Sequence, residues 1–257
     1  MTRWSYNAAH RKRPNVHPLA APSGAVLTCD APADHPWHHG LWFTIKFVNE
    51  ENFWEEMAPY GVLRHVDPTT VHWIRPDRET VVIVDRRSLE EVDLGTDDAY
   101  AIDWKIALEP QVNVLLDRTP FTTWGGYGGL SLRGRPDWTD TRFLLADGET
   151  HDRMLGVRSE WCDLAGHVDG TTAGVLLLHG ADNPNHPVPW YGSTKSATYG
   201  DEGWSNFVNA AFLWDEPLSV GAGEVLTFSY RIVVHDGVWS EDRCAAEWHR
   251  WTGSARP

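Results

Sequence analysis

The chain has 257 residues, 42% of them hydrophobic, and a formal net charge of −14 at pH 7. This length is enough to bury a full core, and all-β folds of this size are often one domain, so we expect residues 1–257 to form a single domain. The negative charge argues against nucleic acid and anionic membranes as partners, and no apolar run approaches the roughly 20 residues of a membrane-spanning helix.

The cysteines indicate a reducing compartment. Cys29, Cys162 and Cys244 lie far apart and outside any C-x-x-C spacing, which argues against a disulfide framework and against a structural zinc site. The basic opening MTRWSYNAAHRKR is not followed by the apolar block of a secretory signal. We therefore expect a cytoplasmic protein with free thiols.

Alternation of apolar and polar residues dominates the sequence and predicts half-buried antiparallel strands. In residues 101–109, for example, Ile102 and Trp104 fall on one face and Asp103 and Lys105 on the other. In chain order, the predicted strands cover residues 25–29, 41–48, 71–74, 80–85, 101–109, 129–133, 173–179, 207–214 and 226–235. Turn-forming stretches such as APSG, DPTT and ADNPNHP separate them.

One helix is predicted, within VWSEDRCAAEWHRWTG at residues 238–253. Ser240 is suited to the N-cap and Gly253 to the stop. Many short strands without alternating helices favour an antiparallel sandwich or barrel over a parallel α/β sheet. The sequence therefore predicts an all-β fold with a short C-terminal helix.

The stretch DHPWHHGLW places His35, His38 and His39 directly before a predicted strand. Three interpretations are open: a metal-free proton-transfer or ligand site, a divalent metal site that takes a further ligand from elsewhere, or a structural corner of the fold. Because no further metal ligand can be identified from the sequence, the metal-free site is favoured.

The stretch FVNEENFWEE, residues 47–56, mixes carboxylates with aromatic rings. A carboxylate against an indole can have its pKa raised, which produces a general acid near neutral pH. Glu55 is the preferred candidate because it directly follows Trp54. The alternative is an ordinary solvated loop.

The stretch TWGGYGGLSLR, residues 123–133, places two glycine pairs around Tyr127 and ends in a predicted strand that carries Arg133. Glycine pairs allow the backbone to approach a ligand, and the two side chains can donate hydrogen bonds to hydroxyl or carboxylate oxygens. A hairpin with glycine bulges is the alternative.

The stretch LLLHGADNPNHPVPW, residues 176–190, ends an apolar strand at His179 and continues into a polar loop with Asn183 and Trp190. Amides suit sugar hydroxyls and an indole suits a sugar ring face. Asparagine and proline are also common turn residues, so a purely structural loop stays open.

Four stretches in this order resemble the PmoA-like family of bacterial proteins, often labelled "methane oxygenase PmoA": HPLAAPSGAVLTCDAPADHPWHHGLWFTIKFVNEENFWEE, YGGLSLR, GVLLLHGADNPNHPVPW and PLSVGAGEVLTFSYRIVVHDG. The resemblance implies a galactose-mutarotase-like antiparallel β-supersandwich and a place beside sugar-oxidising dehydrogenases. The oxygenase label is not supported, because a membrane oxygenase needs transmembrane helices. The histidine–glutamate pair of mutarotases cannot be carried over, because Glu224 is the only corresponding late carboxylate and lies in a predicted turn.

Together these features predict a protein that acts on a sugar or keto-sugar by acid/base chemistry (isomerisation, elimination or hydrolysis), without a cofactor. The 15 tryptophans agree with a carbohydrate ligand. The candidate catalytic residues are His35, His38, His39, Glu55 and His179, and the candidate substrate-binding residues are Trp42, Tyr127, Arg133, Asn183 and Trp190.

Two alternatives stay open. The first is a metal-dependent oxygenase or hydrolase in which His35, His38 and His39 hold a divalent ion. The second is a non-catalytic sugar-binding partner of a sugar dehydrogenase. A homo-oligomer is compatible with either.

Overall fold

The computed structural model describes residues 2–10, 12–119, 126–195 and 205–253. These residues form twenty strands and one helix, α1 (Glu241–Thr252). The strands are β1 (Trp4–Asn7), β2 (Asn15–Leu19), β3 (Leu41–Ile45), β4 (Phe47–Val48), β5 (Glu51–Asn52), β6 (Val62–His65), β7 (Thr70–Ile74), β8 (Val81–Asp93), β9 (Ala99–Pro110), β10 (Val114–Asp117), β11 (Gly128–Arg133), β12 (Thr139–Leu145), β13 (Thr150–His151), β14 (Arg153–Ser159), β15 (Trp161–Val168), β16 (Thr171–His179), β17 (Val188–Ser193), β18 (Phe207–Ala210), β19 (Leu218–Val220) and β20 (Leu226–Asp236).

The strands form three antiparallel sheets. The seven-stranded sheet has the order β1-β2-β3-β11-β18-β17-β14, and the nine-stranded sheet has the order β13-β12-β15-β16-β20-β9-β8-β7-β6. A four-stranded sheet has the order β19-β10-β4-β5. The predicted all-β antiparallel fold is confirmed.

Alternation along β3 shows how the sequence builds the core. Leu41, Phe43 and Ile45 belong to the main hydrophobic core, while Trp42 packs with a separate aromatic group on the other face of the strand. Thr44, on the same face as Trp42, donates to the carbonyl oxygen of Phe53 at 3.0 Å. Successive side chains of a strand point to opposite faces, so one strand serves the core and a second surface at once.

The two large sheets share this core. The ring of Phe43 on β3 lies 5.1 Å from that of Phe228 and 6.3 Å from that of Tyr230, both on β20 of the nine-stranded sheet. Side chains from the facing sheets therefore interdigitate in a sandwich-like arrangement.

Helix α1 covers the other face of the nine-stranded sheet. The side chain of Ser240 accepts a hydrogen bond from the backbone N–H of Arg243, and Gly253 ends the helix at φ 69°. The indole of Trp248 donates to the carbonyl oxygen of His179 at 3.2 Å. The predicted helix and both of its end signals are confirmed.

Some predicted strand bounds are wrong. Residues 25–29 form only isolated bridges, Ala20 with Val26 and Thr28 with Gly134, and β8 continues eight residues beyond the predicted end, to Asp93. Strands β2 and β17 were not predicted because each contains a proline. Proline has no backbone N–H to donate to a neighbouring strand, so it normally argues against a strand.

Across the described ranges, no helix has both the length and the apolar character needed to cross a membrane.

Candidate functional site

The histidine motif lies in the turn before β3, and Gly40 shapes that turn. Gly40 has φ +57°, and a Cβ there would lie 2.4 Å from the carbonyl oxygen of Val16. Only glycine fits a left-handed position this close to another backbone segment. The Gly40 N–H donates to Cys29 O at 2.9 Å and its carbonyl accepts from Arg133 N at 2.7 Å, so backbone bonds hold the turn on both sides.

His38 is buried beside Arg133. Its ring stacks between those of His35 and Phe207, at centroid distances of 4.7 and 4.8 Å. Nδ1 lies 3.5 Å from Nη1 of Arg133, and Nε2 has no hydrogen-bond partner in the described part of the chain. Because a guanidinium only donates, Nδ1 is assigned as the acceptor and Nε2 as the N–H. Burial, followed by the charge of Arg133, holds the pKa of His38 well below its ordinary value.

Aromatic rings surround His38 on this face of the seven-stranded sheet. We define the aromatic layer as Trp42, Trp54, Tyr127, Tyr191 and Phe207, with Trp37 and Trp214 packed against it. The rings of Trp54 and Tyr127 stack 4.8 Å apart, and the ring of His38 lies 5.1 Å from that of Trp42. Nε1 of Trp42 is buried and, within the described ranges, unpartnered.

Arg133 reaches this layer from the end of β11. Its Nη2 donates to Oδ2 of Asp34 at 2.6 Å, and Nδ1 of His35 lies 3.1 Å from the same oxygen. Burial alone would raise the pKa of Asp34, but the hydrogen bonds from His35 and Arg133 outweigh it and lower the pKa to about 2. Among the described residues, Nε of Arg133 and Oδ1 of Asp34 have no partner.

His39 belongs to a different group of side chains. Its Nδ1 lies 2.6 Å from Oδ1 of Asp30 and its Nε2 lies 2.9 Å from Oε1 of Glu56. The ring of His10 lies 4.4 Å from that of His39. We call His10, Asp30, His39 and Glu56 the histidine–carboxylate cluster.

Charged neighbours hold the carboxylates of this cluster ionised. Lys12 pairs with Glu56, and Nε of Arg13 lies 3.9 Å from Oε1 of Glu56. Burial raises the pKa of Glu56, but the hydrogen bond to His39 and the charge of Arg13 lower it below its ordinary value overall. The hydrogen bond to His39 likewise lowers the pKa of Asp30.

Glu56, rather than the predicted Glu55, contacts a histidine of the motif. The carboxylate of Glu55 pairs with Lys46, and its backbone N–H donates to Oδ1 of Asn52 at 3.1 Å. The two glutamates follow β5 in a loop, where no periodicity indicates which of them faces inward. A catalytic role for Glu55 stays a prediction.

Three predicted site residues lie away from the aromatic layer. Trp190 packs in the core and donates to the carbonyl oxygen of Ser159 at 3.0 Å. Asn183 binds the backbone of Ser229 through both side-chain atoms. Its Oδ1 accepts from the N–H of Ser229 at 2.7 Å, and its Nδ2 donates to the carbonyl oxygen of Ser229 at 2.8 Å. His179 ends β16, with its Nδ1 3.1 Å from Nδ1 of His186. The predicted roles of Trp190, Asn183 and His179 stay predictions.

The predicted metal triad of His35, His38 and His39 is not assembled. Among the described residues, the group whose potential ligand atoms all lie within 4.8 Å of one another is His10, Asp30 and His39. His10 and Asp30 were not predicted as site residues, because each is an isolated residue in a stretch without strand periodicity. Residues 123–125, which open the predicted glycine-rich motif, lie outside the described residues.

No curated protein and no solved structure matches this chain. A family model does match, over residues 1–249, and its description is a family of unknown function. The match covers nearly the whole sequence, including the histidine motif, the aromatic layer and most of the terminal helix. The chain therefore belongs to the family of unknown function DUF6807.

Proposed function

We propose that the protein binds a sugar or keto-sugar derivative against the aromatic layer and acts on it by acid/base chemistry. The observation that carries the proposal is a set of buried N–H donors beside the layer. Nε2 of His38, Nε1 of Trp42 and Nε of Arg133 all lack a hydrogen-bond partner in the described ranges. Buried donors are nearly always paired, so three together favour a ligand that supplies oxygen acceptors.

A carbohydrate matches these surroundings in two ways. Its hydroxyl and carbonyl oxygens can accept from the three donors, and its C–H faces can pack on the partly exposed indole rings of Trp37 and Trp214, which pack against the layer. The excess of donors and the charge of Arg133 favour a sugar with a carbonyl or carboxylate group over a neutral polyol.

The proposed chemistry follows from the positions of His38 and Arg133. A substrate carbonyl oxygen that accepts from both gains negative charge as the adjacent C–H bond breaks, and the guanidinium stabilises that charge. The Nε2–H of His38 donates a hydrogen bond to the same oxygen, while the carbon-bound proton passes to solvent water and a proton from solvent returns to that carbon or to its neighbour. This step underlies both isomerisation and elimination.

Proton NMR in D₂O tests the proposal on a panel of aldoses, ketoses and sugar acids. We expect the wild-type protein to exchange or convert a C–H group next to a carbonyl in at least one member. His38→Gln and Arg133→Lys should each slow this exchange by about 100-fold or more. His72→Gln, on the distant strand β7, is the control and should keep the wild-type rate.

Full activity in both His38→Gln and Arg133→Lys would show that the chemistry lies elsewhere. Binding of a sugar by calorimetry without any exchange or product would instead identify a binding module. The two measurements therefore separate catalysis from recognition.

The resemblance to the PmoA-like family and the mutarotase-like supersandwich supports this proposal, because those proteins accompany carbohydrate catabolism. It also supports a sugar dehydrogenase as partner. Glu224 gives no support to a mutarotase-type base, since its Oε2 accepts from the backbone N–H of Gly221 at 2.8 Å in an exposed turn. A cytoplasmic location belongs to the same proposal, supported by the free thiols of Cys29, Cys162 and Cys244.

A further inference from the structure

We propose that His10, Asp30 and His39 bind one divalent transition-metal ion, and that Glu56 orients His39 for this role. One ligand atom from each of the three residues lies within 4.8 Å of the others. Two imidazole nitrogens and one carboxylate oxygen suit Zn²⁺, Co²⁺, Ni²⁺ or Fe²⁺. Three protein ligands also leave coordination positions for water or substrate.

The hydrogen-bond capacity of His39 provides an independent argument. Both of its ring nitrogens face carboxylate oxygens, Asp30 at 2.6 Å and Glu56 at 2.9 Å. An ionised carboxylate only accepts, and a neutral imidazole carries a single N–H. The single N–H of a neutral imidazole can serve only one of the two carboxylates. The contact at the other ring nitrogen therefore requires either an additional proton or a metal ion between the nitrogen and the carboxylate.

The surroundings of Glu56 favour the metal ion. Glu56 is held by Lys12 and lies close to Arg13, so it is a fixed acceptor for the N–H at Nε2 of His39. The lone pair of Nδ1 then points toward Asp30, beside His10. A carboxylate that accepts from the far nitrogen of a ligating histidine is the usual outer arrangement of metal sites in proteins.

The cluster is open to solvent on one side. The side chain of Asp30 is 34% exposed, whereas those of His39 and Glu56 are only 3% and 4% exposed. His10 also borders a groove of about 750 Å³, lined by Tyr6, Ala8 and His65 among others. An ion held here can therefore exchange with solvent on the side of Asp30.

The test uses full-length untagged protein, stripped with EDTA and titrated with Zn²⁺ by calorimetry and with Co²⁺ by visible absorption. We expect one ion per chain and a Co²⁺ absorption band typical of nitrogen and oxygen ligands. His10→Gln, Asp30→Asn and His39→Gln should each weaken Zn²⁺ binding by more than about 100-fold. Glu56→Gln should weaken it by about 10- to 100-fold.

Glu55→Gln is the matched control, because it is the adjacent glutamate but pairs with Lys46 instead of His39. It should keep wild-type Zn²⁺ affinity. Because His10 is half-buried and Asp30 is exposed, substitutions at these two residues should disturb folding least. Near-UV circular dichroism of each variant checks that its tertiary structure is native.

Substoichiometric binding by the wild-type protein would overturn the proposal. Equal affinity in the wild-type protein, His10→Gln and Asp30→Asn would overturn it as well. The metal site does not depend on the proposed sugar chemistry, since Zn²⁺ titration reports on the cluster whether or not a sugar binds to the aromatic layer.

Discussion

His38 and His39 are adjacent in the chain, yet their side chains belong to different sites. His38 stacks on Phe207 in the aromatic layer, whereas His39 lies between the carboxylates of Asp30 and Glu56. A single short motif thus supplies an uncharged imidazole to one site and a carboxylate-bound imidazole to the other. The turn at the following glycine makes this separation possible.

Gly40→Ala should lower the free energy of unfolding by about 2 kcal/mol or more. A left-handed conformation costs a non-glycine residue about 1–3 kcal/mol, and the added Cβ would also lie 2.4 Å from the carbonyl oxygen of Val16. Urea denaturation measures the change. Gly95→Ala is the control, because Gly95 has a similar φ of +72° but open space around its Cβ position. Equal losses in the two variants would show that the approach to Val16 is unimportant.

Trp190→Phe should destabilise the protein without weakening sugar binding. The variant loses the hydrogen bond to Ser159 and part of the core packing, at a cost of about 1–3 kcal/mol. Trp42→Phe also loses packing at a fully buried position, but it should in addition weaken sugar binding, because Nε1 of Trp42 has no partner among the described residues and is a proposed donor to the sugar. Thermal unfolding and calorimetry with a sugar identified by the NMR panel compare the two. A larger affinity loss in Trp190→Phe would contradict this assignment.

Asp34→Asn should destabilise the protein by about 1–3 kcal/mol, because Arg133 then loses its charged partner at a buried position. The pKa of Asp34 falls from 3.8 to about 2 on folding, so its ionised form favours the folded state. The advantage of the wild-type protein over the variant is therefore complete above about pH 4 and is lost as the pH falls toward 2. Urea denaturation at several pH values measures this difference, and a constant difference would contradict the prediction.

His179 should make the protein less stable in acid. Burial, together with the nearby His186, lowers the pKa of His179 from 6.5 to about 3. The unfolded chain therefore binds a proton at this residue below pH 6.5 while the folded chain does not, so stability falls as the pH drops from 6.5 toward 3. The contribution is up to about 1.4 kcal/mol per pH unit.

His179→Gln should flatten this part of the stability profile measured by urea denaturation. His167→Gln, at an exposed position on β15, is the control and should keep the wild-type slope. An unchanged slope in His179→Gln would show that this histidine does not titrate on unfolding.

Local patterns in the sequence were enough to predict the type of fold. The alternation at 101–109 predicted β9 because a half-buried strand needs one apolar face, whatever lies opposite. Ser240 and Gly253 marked the helix ends because capping depends on a few neighbouring backbone groups. The stretch DHPWHHGLW likewise identified His38 as a candidate, and the predicted strand at residues 129–133 identified Arg133. No local sequence pattern indicated that these two side chains lie next to each other.

Which residues face each other was decided only by the tertiary structure. Strand alternation places Trp42 and Trp190 on definite faces of their strands, but pairing with neighbouring strands determines which face meets the core. In loops no period exists, so the choice between Glu55 and Glu56 depends on where Lys46 and His39 lie after folding. The sequence therefore determined the strands, the helix and the histidine-rich motif, whereas long-range packing alone brought His10, Asp30 and Glu56 to His39.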